Sequence, residues 1–186
     1  MYSTAEFKKG LKIEMDGVPY TIVDFQHVKP GKGGAFVRTK LKSLLTGKVL
    51  DQTFRSGEKV KKPDLMERPM QYLYRDGDSF CMMDNETYEQ IMLTEEQMGE
   101  ARLYLTENLN VQVLFFNQQP VGVDVPLFVE LEVAQTEPGV KGDTAAGGTK
   151  PATLESGVTI QVPLFISEGD QVKVDTRTGT YIERVK

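Results

Sequence analysis

The sequence predicts an all-β protein made of three small β-barrels in series. Three observations carry that expectation. Apolar and polar residues alternate with a period of two along most of the 186 residues. Turn-forming pairs, Gly beside Asp, Ser or Thr, recur between the alternating runs. The composition also breaks twice, near residues 63 and 126, into segments of roughly 60 residues, a size small domains adopt.

The first segment spans residues 1–63. Residues 19–28, PYTIVDFQHV, are β-branched and aromatic and read as a strand. Residues 36–42, FVRTKLK, set Val37, Thr39 and Leu41 on one face and Phe36, Arg38, Lys40 and Lys42 on the other. That pattern predicts a half-buried strand with a basic outer face. The two strands flank residues 29–35, so Lys32 falls near a hairpin tip. Pro30, Gly31, Gly33 and Gly34 around it carry no bulky side chain, which makes the tip slim. Turns at Thr46-Gly47 and Ser56-Gly57 complete a small antiparallel barrel.

The second segment, 64–126, opens where the charge changes sign and Pro63 and Pro69 interrupt the chain. MQYLYRDGDSFCMMD reads as strand, Asp-Gly turn and strand. Tyr72, Tyr74, Phe80 and Tyr88 are expected on strands, packing into the core. TEEQMGEARLYL is the best helix candidate, with Thr94 as cap and Gln97 completing a capping box. NVQVLFFNQQPVGVDVP reads as a hairpin turning at residues 117–120. In the third segment, 127–186, Leu127, Val129, Leu131 and Val133 alternate against Phe128, Glu130 and Glu132. A long Gly/Thr/Ala-rich loop follows. VTIQVPLFI has Pro163 near its middle, which predicts an edge position or a bulge. Two more short strands turn at residues 168–170 and 177–179. Both later segments fit five-stranded barrels of the oligonucleotide/oligosaccharide-binding (OB) type.

Charge and chemistry narrow the function. The net charge is −5, but residues 1–63 carry +7, residues 64–127 carry −9 and residues 128–186 carry −3. A basic end joined to an acidic middle suggests a polar molecule whose basic end meets a polyanion. Within the basic end, Lys29, Arg38, Lys40 and Lys42 are the candidate RNA-facing residues. A slim cationic finger bearing Lys32 could enter a narrow anionic channel, and RNA is the obvious wall for one. The single Cys81 leaves no disulfide framework and fits a reducing cytoplasm. One His and one Cys are too few for a His/Cys zinc site or a credible Cys–His nucleophile pair. No metal, cofactor or catalytic residue is expected. No run of 18 apolar residues suggests a membrane-spanning helix, and the first residues lack a signal peptide's apolar core. The glycine clusters are not phosphate loops. Gly31-Lys32-Gly33 has Phe36 where the dinucleotide fingerprint needs Gly, and Gly47-Lys48 is followed by Val49 instead of Ser or Thr.

With the barrels, the charge gradient and KPGKGGAF in place, the chain closely resembles the bacterial elongation factor P family over essentially its whole length. The most specific segment is KPATLESGVTIQVPLFISEG, with Lys150, Ala152, Gly157, Ile160, Val162-Pro163, Ile166 and Gly169 at the family's spacings. YLYRDGDSF, MDNETYEQ and GVKGDTAAGGTKPATL match in the second and third segments. The resemblance implies an N-terminal SH3-like (KOW-like) barrel followed by two OB-fold barrels in an L-shaped, tRNA-like outline. It implies an accessory factor, not an enzyme, and a monomer is expected because no long exposed apolar face is evident. Its partners would be the 70S ribosome, between the P and E sites, and the peptidyl-tRNA in the P site. There it would promote peptide bond formation at consecutive prolines. Lys32 stands at the position that family members extend by modification, which implies a lysine-modifying enzyme as a further partner. By the same resemblance Gly142, Asp143 and Thr144 match the loop that approaches the E-site codon, and Tyr181 and Arg184 match contacts to the P-site tRNA. One departure is Gly34, where other members carry a side chain, so a somewhat more flexible tip is expected. The rival reading is a general single-stranded RNA-binding β-barrel protein that uses its strand faces.

Overall fold

Alternation of side chains dictates the architecture, which a computed structural model of the chain describes for residues 1–139 and 148–185. The strands in chain order are β1 Tyr2–Ser3, β2 Lys12–Met15, β3 Val18–Val28, β4 Phe36–Ser43, β5 Val49–Arg55 and β6 Lys59–Val60. Next come β7 Leu65–Asp76, β8 Ser79–Asp84, β9 Gln90–Thr94, the one-turn helix α1 Glu95–Met98, β10 Asn110–Phe116 and β11 Gln119–Asp124. The last are β12 Phe128–Thr136, β13 Thr149–Leu154, β14 Thr159–Pro163, β15 Gln171–Asp175 and β16 Thr180–Val185. The sheets run β2-β3-β4-β5, β1-β6, β11-β10-β7-β8-β9 and β14-β13-β12-β15-β16. The protein is nearly all-β, as the alternation predicts.

The described chain divides into two compact units, Met1–Glu67 with Leu114–Gly122, and Arg68–Val113 with Val123–Lys186. In the first unit β3 pairs antiparallel with β4, and β4 with β5. Val37, Thr39, Leu41 and Ser43 of β4 point inward, and Arg38, Lys40 and Lys42 point outward. Val37 and Leu41 join Phe7, Ile13, Ile22, Phe54 and Val60 in one core. Leu114, Phe116 and Val121 form a smaller cluster with Leu44 and Leu65.

In the second unit, β7, β8 and β9 form an antiparallel meander whose first turn is Gly77-Asp78. Phe80, Met82 and Leu93 are buried there. Val129, Leu131 and Val133 of β12 pack with Val172 and Val174 of β15 and with Ile160 and Val162 of β14. Pro163 ends β14, which is an edge strand of its sheet order, so the missing N–H breaks no internal ladder.

Four local expectations need correction. The capping box at Thr94 forms, with Gln97 N donating to Thr94 Oγ1 at 3.2 Å. The α-helix nevertheless lasts one turn, and Gly99–Tyr104 continue as a 3-10 helix. Gly99, at φ 57°, breaks the α ladder. Leu127 precedes the strand and is 55% exposed, because the alternating core pattern begins with β12. Tyr74 and Tyr88 are exposed, and only Phe80 of the four middle aromatics is fully buried. Tyr88 sits off the strands in the β8–β9 connection, with φ 63°. There Asp84 accepts backbone N–H groups from Glu86 and Thr87, which hold its carboxyl below the usual range. The β10–β11 turn is shorter than residues 117–120. Asn117 and Gln118 both take left-handed conformations, which match the twist of a two-residue hairpin.

Candidate functional site

The site grows from the β3–β4 hairpin. The ladder runs out to His27↔Val37 and Val28↔Phe36, and the chain then crosses through residues 29–35. Lys29, Pro30, Gly31, Lys32, Gly33 and Gly34 are all exposed in that connection. Gly33 has φ 96°, a conformation side chains resist, so glycine is required there by the backbone. At Gly31 and Gly34 a Cβ would meet nothing within 4 Å. Their absent side chains keep the tip slim; packing does not demand them. His27 lies exposed beside the tip, its ring edge-on to Phe25 at 5.7 Å between centroids.

Behind the tip, β4 presents Arg38, Lys40 and Lys42 on one outer face. Cross-strand neighbours are Gln26 and Thr53 for Arg38, Asp24 and Asp51 for Lys40, and Thr21 and Val49 for Lys42. Among the described residues none of Lys29, Lys32, Arg38, Lys40 or Lys42 has a carboxylate oxygen within 4 Å. Asp24 faces Lys9 instead, at 3.9 Å. Arg38 lies over the Phe36 ring, 5.6 Å from its centroid. An open groove of about 430 Å³ runs along this sheet, lined by Asp24, Gln26, Arg38, Lys40, Asp51 and Thr53 among others. Solvated, unpaired cations in a row can take phosphate oxygens without first breaking an internal ion pair.

The third barrel carries the other predicted contacts. Tyr181 is half-buried against that barrel's core, and burial pushes its phenol pKa up. Arg184 is exposed and its guanidinium lies 5.4 Å from the centroid of the Phe165 ring. Gly142, Asp143 and Thr144 lie outside the described residues. The loop's described ends are held: Lys150, a buried lysine, donates from Nζ to the Glu137 carbonyl.

Sequence reasoning missed the aromatic partners of the third-barrel cations. Phe165 is 61% exposed beneath Arg184, and Phe128 lies under Lys173 at 5.0 Å and Arg177 at 6.0 Å. Alternation marks Phe128 as outward, but it carries no signal for Phe165, which follows the end of its strand. Among the described residues no group of three or more His, Cys, Asp or Glu could hold a metal. No helix among them is long and apolar enough to cross a membrane.

Known domains that match the chain point to one class, the translation elongation factors. Residues 3–60 match the elongation factor P KOW-like domain, residues 65–123 its OB domain, and residues 129–184 its C-terminal domain. The elongation factor P of Desulfitobacterium hafniense is 60% identical over 184 residues, 99% of this chain and all of that one. That of Bdellovibrio bacteriovorus is 56% identical over 185 residues, covering 100% of this chain and 98% of the relative. Translation initiation factor 5A from Methanococcus jannaschii superposes with a TM-score of 0.51 at 27% identity, over 67% of this chain and 92% of that one. The chain belongs to the elongation factor P family. It is a translation factor, and as an elongation factor it works with the ribosome.

Proposed function

We propose that the chain binds the ribosome between the P and E sites and relieves stalls at consecutive prolines by positioning the peptidyl-tRNA. One observation carries this reading: Lys32, exposed and without an ion-pair partner among the described residues, caps a slim hairpin whose next strand presents three more such cations. Proline reacts slowly because its ring fixes φ and removes the amide N–H. A cationic arm beside the CCA end would hold the donor in reactive geometry, a gain of positioning that requires no proton transfer by the factor. Modification of Lys32 by a dedicated enzyme would lengthen that arm. Arg38, Lys40 and Lys42 would lie along RNA phosphates. Tyr181 and Arg184 would meet the P-site tRNA, and the loop with Gly142, Asp143 and Thr144 the E-site codon. The functional domains would be 1–63, 64–126 and 127–186, in a cytoplasmic monomer.

The test is translation in a purified ribosomal system, on a template with three consecutive prolines and a proline-free control. Protein from its native cells should release the stall, and Lys32→Ala should lose at least about tenfold of that rate, a barrier change of roughly 1.4 kcal/mol. The proline-free template should show no difference. Full activity in Lys32→Ala, with losses instead in Tyr74→Ala or Tyr88→Ala, would favour a general single-stranded RNA binder that stacks bases on exposed rings.

A further inference from the structure

We infer that Phe165 is a positioning residue, holding the Arg184 guanidinium edge-outward for an RNA phosphate; this rests on the tRNA-contact reading of Arg184. The argument starts from the turn that carries the ring. Ile166 N donates to the Pro163 carbonyl at 3.2 Å, closing a turn with Leu164 and Phe165 at its centre. Both ends are fixed. Pro163 closes β14, and Ile166 is fully buried in the third-barrel core. Gly139 also packs against the turn, so close that a Cβ there would lie 2.7 Å from the Leu164 carbonyl oxygen. Phe165 thus projects from a hydrogen-bonded turn anchored by buried Ile166, yet is 61% exposed and adds little to the core.

What it does touch is Arg184. The guanidinium lies 5.4 Å from the ring centroid, within cation–π range. Arg184 has no carboxylate oxygen within 4 Å among the described residues. A long side chain on an edge strand otherwise samples many rotamers, and ordering it on binding costs affinity. Stacking on the ring restricts it beforehand while leaving its planar N–H fork free for bidentate contact with a phosphodiester. The third barrel's other stacked cations differ. Lys173 and Arg177, over Phe128, face Glu183 and Asp175. Only the Phe165 stack, among these, leaves its cation without a carboxylate.

The experiment compares Phe165→Ala, Phe165→Trp, Arg184→Ala and the Phe165→Ala/Arg184→Ala double variant in the full chain. Affinity is measured for ribosomes with tRNA in the P site and with that site vacant. Side-chain Nε–Hε relaxation of Arg184 is measured in the free protein. Phe165→Ala should lower the Arg184 order parameter and weaken binding roughly two- to fivefold, only with tRNA present. Phe165→Trp should restore both. The Phe165→Ala loss should vanish in the Arg184→Ala background, and its melting temperature should stay within about 2 °C of the parent. An unchanged order parameter in Phe165→Ala overturns the stack. A loss that persists in the Arg184→Ala background overturns positioning in favour of direct contact by the ring. If Arg184→Ala binds normally while the order parameter falls, the tRNA-contact reading fails and the stack stands as a structural fact alone.

Discussion

The cations on β4 of the first barrel and those stacked over Phe128 in the third are held in opposite ways. On β4, Arg38, Lys40 and Lys42 face solvent in a row, and among the described residues none is within 4 Å of a carboxylate. On β15 and the turn after it, Lys173 faces Glu183 at 3.9 Å, and Arg177 grips Asp175 at 3.0 Å. The difference teaches where a net-acidic protein can meet a polyanion. An unpaired surface cation exchanges water and counterions for a phosphate, whereas a paired one must first surrender its carboxylate. Charge count favours the first barrel, at +7 against −3, and pairing says which of its cations are free to act.

Reversing the β4 row is the hardest test of that contrast. The triple variant Arg38→Glu/Lys40→Glu/Lys42→Glu should bind ribosomes on the order of 100-fold more weakly at moderate salt, and its log–log salt slope should flatten by roughly three. The Lys173→Glu/Arg177→Glu pair should change affinity by less than about threefold. Binding titrations across a potassium chloride series measure both. Equal losses in the two variants would show that pairing state is irrelevant and that the face carrying Lys173 and Arg177 also lies on RNA.

The same strand sharpens the contrast from its other face. Leu41 is fully buried between charged neighbours. Leu41→Ala should cost about 2–5 kcal/mol in urea unfolding, through lost transfer energy and the cavity left behind. Lys40→Ala should stay within about 0.5 kcal/mol. Thr39, on the same inward face as Leu41, is in an uneasy position. It is buried, and its Oγ1 has no hydrogen-bond partner among the described residues. Thr39→Val, nearly isosteric, should therefore be neutral or stabilise by about 1 kcal/mol. A marked loss instead would mean that the hydroxyl is satisfied in solution.

These faces were legible in the sequence because strand alternation is a local geometry. Residues 36–42 declare which side chains point in, and they do so without knowledge of any partner strand. The ends of elements were less legible. Leu127 fits the alternation but stands before the strand, and Gly99 halts a helix whose cap is correct. Side-chain pairing was not legible at all. Lys9 finds Asp24, Ser156 Oγ bonds the Leu103 carbonyl, and Arg184 lies over Phe165, each across distances in sequence that only the fold closes. For the candidate site this means that the row of cations could be named from sequence, but their lack of partners could not.

The smallest expected effect tests the paired side of the comparison through pH. Asp175 accepts Arg177 Nε at 3.2 Å and Nη2 at 3.0 Å, and the Arg177 backbone N–H at 2.9 Å. The guanidinium bonds, then the backbone bond, hold its carboxyl below the ordinary 3.8. A carboxylate depressed in the folded state stabilises fully above its unfolded pKa, and that contribution fades as pH falls through the lower folded value. Urea midpoints should therefore fall more steeply below about pH 4 in the parent than in Asp175→Asn, which has no proton to take up there. Lys40→Ala should leave the acid limb unchanged, since among the described residues that cation has no carboxylate oxygen within 4 Å. An acid limb unaltered in Asp175→Asn would mean that the pair opens in solution, and Arg177 would then be as available to RNA as the cations of β4.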